Sequence, residues 1–337
     1  MKTCLANVVR IAAVPLLAVL SACSHHARHG GLPPVRTYAV ADALAVGDGS
    51  LLSPGNFATA YFAPAPSGSP GAAATLNGNG QVVYAPDGSL YRYNNGPGGC
   101  AISKYAFGAI GAAAPTATAT GDPNLLGTTS PLGCWSGATD PSGNLYVLVA
   151  NGPYLGVDVF DAQLVYQRQL GNGPTSGIVA NGRIPAMPLA IDPGQNLYVG
   201  QGTTISVFNA NDGGDAPPVS QFPLTSAAIA LLADASGNLY VGSASSVSFI
   251  PAGATVPSTV LNLPTNSLVP SQSLQIASSN SLALDSQNNL YVLTVGGSAG
   301  TSQVLRYGAS STGNASFAAS IPVDPNAKSI AVAPHVP

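Results

Sequence analysis

Apolar and polar residues alternate along most of this chain in short runs, the period of a half-buried β-strand rather than of an amphipathic helix. One phrase of that pattern recurs: TDPSGNLYVL from Thr139, IDPGQNLYVG from Ile191, ADASGNLYVG from Ala233 and LDSQNNLYVL from Leu284, with a weaker copy, APDGSLYRY, from Ala85. In each copy a small apolar strand, such as Leu189-Ala190-Ile191 or Leu282-Ala283-Leu284, runs into Asp, then a Gly/Asn/Ser turn, then Leu-Tyr-Val. An Asp carboxylate in such a turn accepts backbone N–H bonds, and Gly or Asn tolerates the positive φ of a tight hairpin. Alternation then puts Leu and Val on one face of the second strand and Tyr on the other.

Each copy is followed by a third strand ending in an aromatic or large apolar residue: Ile102 to Tyr105, Val157 to Phe160, Ile205 to Phe208, Val247 to Ile250 and Val304 to Tyr307. A fourth, edge strand follows, such as Gln163 to Leu170 or Thr259 to Leu263. The repeat tyrosines at 91, 146, 198, 240 and 291 are 55, 52, 42 and 51 residues apart. That period is too long for helical-hairpin or leucine-rich repeats and suits a four-stranded blade. The D-x-x-G-N-L-Y-V phrase resembles NHL-type β-propeller blades, in the broad group that includes YVTN-type and gluconolactonase-like propellers. The resemblance covers nearly all of residues 37–337, read as a single all-β, six-bladed β-propeller domain. Inner strands are expected near Gln81, Trp135, Met187, Ala228 and Ser281, with a sixth at Ser329 to Ala333 cut off before its turn. Asn56 to Pro64 and Ala73 to Leu76 supply third and fourth strands for that last blade. The ring is therefore expected to close by pairing the C-terminal strand with N-terminal strands.

Composition agrees and narrows the chemistry. The 337 residues include 39 Gly and 29 Pro, are 46% hydrophobic and only 7% charged, and contain no glutamate: all thirteen acids are aspartates. A glutamate-rich surface helix is excluded, while the apolar content is enough for a core. With a net charge of −3 there is no basic surface for nucleic acid.

Residues 1–22 read as a cleaved leader: basic Lys2 and Arg10, an apolar run from Ile11 to Leu20 too short to span a bilayer, then Leu20-Ser21-Ala22-Cys23. Leu-Ser-Ala-Cys resembles the lipobox of bacterial lipoproteins, which implies that Cys23 becomes an acylated N-terminus; the alternative is an ordinary secretory leader. Ser24 favours the outer membrane over the inner by analogy with that family. Removing the leader leaves 8 basic against 13 acidic residues, a net charge of −5. Residues 23–36 read as a flexible tether, whose His25, His26 and His29 have no preformed geometry for a metal. Cys100 and Cys134 then remain as the one pair in an oxidising compartment and are expected to be bridged, the alternative being two buried free thiols.

The family resemblance implies axial metal sites in its enzymes, built from glutamate with Asn and Asp or from histidines around zinc. This chain has no glutamate, and its one histidine beyond the tether is His335, so neither template is met and a Ser/His/Asp triad has no core histidine. Asp140, Asp192, Asp234 and Asp285 are read as structural turn caps; calcium is the alternative, although each turn holds a single acid. The repeat tyrosines are read as packing between blades rather than as ligand platforms. From the strand-two tyrosine to the end of strand three takes 14, 14, 10, 10 and 16 residues in successive copies, so long loops carrying Asn94, Asn95, Asn151 and Tyr154 become candidate binding loops. The alternative is drift of loop lengths where nothing constrains them. Trp135, beside Cys134, is expected to pack over the disulfide.

These readings point to a lipid-anchored cell-envelope propeller, a non-enzymatic binding or scaffold module for a protein, glycan or envelope component. No cofactor, metal site or nucleic-acid partner is expected, and the domain is read as a monomer held to the membrane by its N-terminal lipid. The alternatives are a metal-dependent lactonase- or lyase-like enzyme with a non-standard site, and a purely structural surface lipoprotein.

Overall fold

The recurring aspartate closes its own turn. In the computed structural model Asp140 Oδ1 accepts the backbone N–H groups of Ser142 and Asn144, both at 2.9 Å, while Oδ2 takes the Asn144 side-chain amide at 2.7 Å. Asp285 repeats this with Gln287 and Asn289, and Asp234 with Ser236 and Asn238. The residue three positions after the Asp has positive φ in every copy: Gly143 (83°), Gln195 (63°), Gly237 (80°) and Asn288 (60°). That backbone requirement is why the phrase carries Gly or Asn there, and Gln195 is its one departure.

The structure describes residues 39–48, 58–64, 70, 72–96, 99–120, 133–151, 154–171, 173–178, 187–264, 275–295 and 302–335. Cys23, the leader and the tether lie outside them. The described strands form six antiparallel sheets arranged as a β-propeller, with no helix among the described residues. Blade one comprises Gln81–Tyr84, Leu90–Gly96, Gly99–Tyr105 and Ala117–Thr118, from the axis outward. Blade two comprises Cys134–Thr139, Leu145–Asn151, Tyr154–Phe160 and Tyr166–Gly171. Blade three has Leu189–Ile191, Asn196–Gln201, Thr204–Asn209 and Ser220–Pro223; blade four has Ala230–Ala233, Leu239–Gly242, Ser246–Ile250 and Thr259–Asn262. In blade five, Leu282–Leu284, Leu290–Val295, Ser302–Tyr307 and Ala319–Val323 are joined by a short extra strand, Gln275–Ile276.

The sixth blade joins the two ends of the domain. Its inner strand is Ala327–Val332, followed outward by Leu44–Asp48, Ala58–Phe62 and Ala74–Asn77. Leu44 pairs with Val332 and Val46 with Ile330, so the N-terminal segment supplies three of the four strands. The second of these, Leu44–Asp48, carries no Leu-Tyr-Val phrase and escapes the sequence reading. Where this pair of strands lacks a connecting turn, Asp42 N–H donates to the Ala333 carbonyl and Ala333 N–H to that of Ala43, each at 2.9 Å. One edge strand also starts later than expected, at Tyr166 rather than Gln163, because Asp161 to Leu164 forms a turn with Leu164 at φ 62°.

Among the described residues, the buried apolar side chains fall into six clusters, one in each seam between neighbouring blades. Leu145, Val147 and Val149 face blade one, while Tyr146 and Leu148 on the same strand face blade three. The period-two pattern of the phrase thus feeds two seams at once. The tyrosines carry hydroxyls into these seams: Tyr91 donates to the Gly143 carbonyl of the next blade at 2.9 Å. Burial raises the pKa of Tyr91, Tyr93 and Tyr198 far above that of a free phenol, and pushes Tyr291 and Tyr307 up to about 12. A phenol whose folded pKa lies above its unfolded value of about 10 contributes stability in full below that pH and loses it above. Melting temperature is therefore expected to be insensitive to these groups up to pH 10 and to fall from pH 10 to 12; a flat profile over that interval would contradict the seam assignment.

Candidate functional site

All six inner strands line a cavity of about 220 Å³ on the propeller axis. Its walls are mostly aliphatic, with Val83, Ala138, Ala190, Leu232, Ala283 and Ala331 among them. Serine hydroxyls link neighbouring inner strands: Ser329 Oγ accepts Val82 N–H at 2.9 Å and Ser136 Oγ accepts Leu189 N–H at 3.0 Å. One polar side chain reaches across. Asn280, just before the inner strand of blade five, donates from Nδ2 to the Gly137 carbonyl of blade two at 2.8 Å. Its Oδ1 accepts the Tyr93 hydroxyl at 2.9 Å and the Gly137 N–H at 3.4 Å. Blades two and five are three places apart in a ring of six, so this bond crosses the axis at the mouth where inner strands begin. A Cβ on Gly137 would come within 2.8 Å of the Tyr93 ring, so glycine is required for that approach. Asn280→Ala is expected to cost about 1–3 kcal/mol, by removing the side-chain partner of the buried Tyr93 hydroxyl and of the Gly137 carbonyl; chemical denaturation measures it, and a loss under about 0.5 kcal/mol would count against the cross-axis bond.

The same face carries the candidate binding residues, but as strand residues rather than loop residues. Strands two and three of blades one and two each run seven residues. They pair as far as Gly96 opposite Gly99 and Asn151 opposite Tyr154, leaving two residues at each tip. Their long intervals therefore reflect taller hairpins; backbone pairing was extended, not interrupted. In blade five the extra length falls at residues 296–301, outside the described residues. Asn94 sits opposite Ala101 and bonds from Nδ2 to Asn79 Oδ1 at 3.1 Å; Asn95 sits opposite Cys100. Cys100 and Cys134 form a disulfide with Cα atoms 5.4 Å apart, joining the hairpin of blade one to the inner strand of blade two. Trp135 does not pack over it. Cys134 lies in the seam between blades one and two, while Trp135, at an irregularity of register between Cys134 and Ser136, packs in the next seam against the cluster containing Met187.

The four repeat aspartates lie at the opposite end of the blades, in the turns between inner and second strands, where their oxygens take the local donors described above. Asp192 Oδ1 accepts Asn196 N–H, and its Oδ2 accepts the Asn196 amide at 2.8 Å and the Tyr198 hydroxyl at 2.9 Å. In the weak first copy Ala85 replaces the Asp, and Asp87 pairs instead with Lys104 at 3.2 Å. Partial burial raises the Asp87 pKa, but hydrogen bonds from Ser89 and Lys104 outweigh this and hold it below the usual value. Among the described residues, no three His, Cys or Asp side chains come together in a group that could hold a metal.

Sequence reasoning missed Asn280, Tyr93 and Gly137. Asn280 lies outside the repeated phrase, and its partners are 143 and 187 residues away, so no local pattern marks it.

No family model matches the chain, and no curated protein matches it. Among solved structures it is similar to a protein of unknown function from Bacteroides caccae, with a TM-score of 0.60 at 10% identity, covering 88% of this chain and 100% of that one. Weaker similarities are to a chain of the mitotic checkpoint complex (TM-score 0.41, 14% identity, 74% of this chain and 66% of that one) and to Myxococcus xanthus glutaminyl cyclase (0.36, 11%, 56% and 69%). At such identities the first of these speaks to fold alone.

Proposed function

We propose that this chain is an NHL/YVTN-like propeller of the bacterial cell envelope, lipid-anchored through Cys23 and favouring the outer membrane, that serves as a non-enzymatic binding or scaffold module. The observation that carries this reading is the axial mouth: enzymes of the resembling group work on the axis, whereas here the channel is aliphatic and bridged by Asn280. Beside that mouth stand two tall hairpins, one of them tied by the disulfide, a raised surface suited to a protein, glycan or envelope partner. The test is capture of a component from envelope extract, repeated with Asn94, Asn151 and Tyr154 all changed to Ala. Loss of capture supports the hairpin face, and undiminished capture argues against it. The anchor is tested separately: Cys23→Ser should move the protein from the membrane to the soluble fraction and abolish labelling by a fatty-acid analogue.

A further inference from the structure

The repeats serve as internal controls for one another, and blade four departs from the rest at two adjacent points. In blades two, three and five the repeat tyrosine bonds to the aspartate of its own turn: Tyr146 to Asp140 at 3.4 Å, Tyr198 to Asp192 at 2.9 Å and Tyr291 to Asp285 at 3.2 Å. Tyr240 makes no such bond, and its hydroxyl has no hydrogen-bond partner among the described residues. Asp234 Oδ2 accepts only the Asn238 amide, at 2.8 Å. The second departure lies across the strand pair. The residue opposite the repeat tyrosine is Lys104, Val159, Val207 and Arg306 in blades one, two, three and five, and Phe249 in blade four. The Tyr240 and Phe249 rings meet edge to face with centroids 5.2 Å apart, and both are half-buried. Tyr91, Tyr146 and Tyr291 are wholly covered, whereas Tyr198 is half-buried like Tyr240 but bonded to its aspartate.

Both departures face one groove of about 740 Å³ between blades four and five, at the end of the blades opposite the hairpin tips. That volume is typical of small-molecule sites. Among the described residues, Asp234 is its single carboxylate, and no lysine, arginine or histidine lines it. The hydroxyls of Ser236, Thr259, Ser310 and Thr312 line it without a side-chain hydrogen bond among the described residues. An anionic ligand would meet a carboxylate and no cation. A neutral polyol ring matches the lining: its C–H face suits the aromatic pair, and its hydroxyls both donate to carboxylate and exchange bonds with Ser and Thr.

We propose that this groove binds a neutral saccharide unit, its ring against Tyr240 and Phe249 and its hydroxyls on Asp234 Oδ2 and the Tyr240 hydroxyl. The site is independent of the hairpin face. The test uses the full-length chain with glucose, galactose, N-acetylglucosamine and the disaccharide cellobiose as probes, and tetramethylammonium and methyl phosphate as competitors of other chemistry, read by calorimetry and saturation-transfer NMR. At least one sugar should bind; Tyr240→Phe should weaken it fivefold or more without lowering Tm, because that hydroxyl bonds to nothing among the described residues. Phe249→Ala should weaken it likewise. Tyr198→Phe should leave sugar affinity unchanged and lower Tm, because its hydroxyl is bonded to Asp192. No binding by any of the sugars, affinity unaltered by Tyr240→Phe, or tighter binding of tetramethylammonium or methyl phosphate would each overturn the proposal. The Asn94/Asn151/Tyr154 variant should retain sugar binding, which separates failure of this site from failure of the hairpin face.

Discussion

Deleting residues 328–337 yields a chain that does not form the ring. The segment lost contains Ser329, Ile330, Ala331 and Ala333, all buried, and these residues belong to both seams of the sixth blade. Ile330 packs with Tyr291 and Leu293 of blade five, while Ala331 and Ala333 pack with Val82 and Tyr84 of blade one. Without them the strand Leu44–Asp48 loses its inner partner, Val82 N–H loses the Ser329 hydroxyl, and two seams open to water together. Losing one large buried aliphatic side chain costs about 2–5 kcal/mol. Adding a strand ladder and a second opened seam brings the loss to the scale of a domain's whole stability, roughly 5–15 kcal/mol. Circular dichroism and limited proteolysis read the outcome. A truncated chain that melts cooperatively within a few degrees of the full-length protein would show that closure does not hold the ring.

Replacing both cysteines with alanine should leave a folded but weakened propeller. The disulfide spans 34 residues, and closing a loop of that length contributes about 4 kcal/mol through the entropy of the unfolded chain. Since a domain of this size loses roughly 2–4 °C of Tm per kcal/mol, the double variant, or the reduced wild type, should melt roughly 10 °C lower. The loss should be local as well: blade one's hairpin is tied to blade two by this bond near the axial mouth, so protease sensitivity should rise first in residues 96–133. A Tm change under about 2 °C with reductant would contradict the expected contribution.

The blades were legible because their instructions are local. The Asp, the positive-φ residue and the Asn of each full phrase lie within five residues and bond to one another there, and in blades two, three and five the Tyr joins them, as at Asp192, Gln195, Asn196 and Tyr198. Ring closure was legible for a related reason: an inner strand at Ser329 to Ala333 with no turn after it, and outer strands near the N-terminus with no inner strand before them. Leu44–Asp48 was not, since it follows no turn of its own and is defined by pairing with residues near the other end of the chain. The candidate face was read in part. Interval counting singled out blades one and two, but intervals cannot distinguish a loop from a taller hairpin; backbone pairing of Asn94 with Ala101 and of Asn95 with Cys100 decided that.

By itself, then, the sequence determined the period, the blade count, the turn chemistry and the charge-poor, glutamate-free inventory, because β-alternation and side-chain-to-backbone turns act over a few residues. Tertiary structure alone decided what the axis and the seams present. Asn280 meets Gly137 across the ring, Trp135 turns away from its neighbour's disulfide, and Tyr240 makes no hydrogen bond to Asp234 where Tyr146, Tyr198 and Tyr291 bond to the aspartates of their turns. Each depends on which surfaces the closed ring brings within bonding distance, and a phrase repeated almost unchanged four times holds no record of which neighbour it will face.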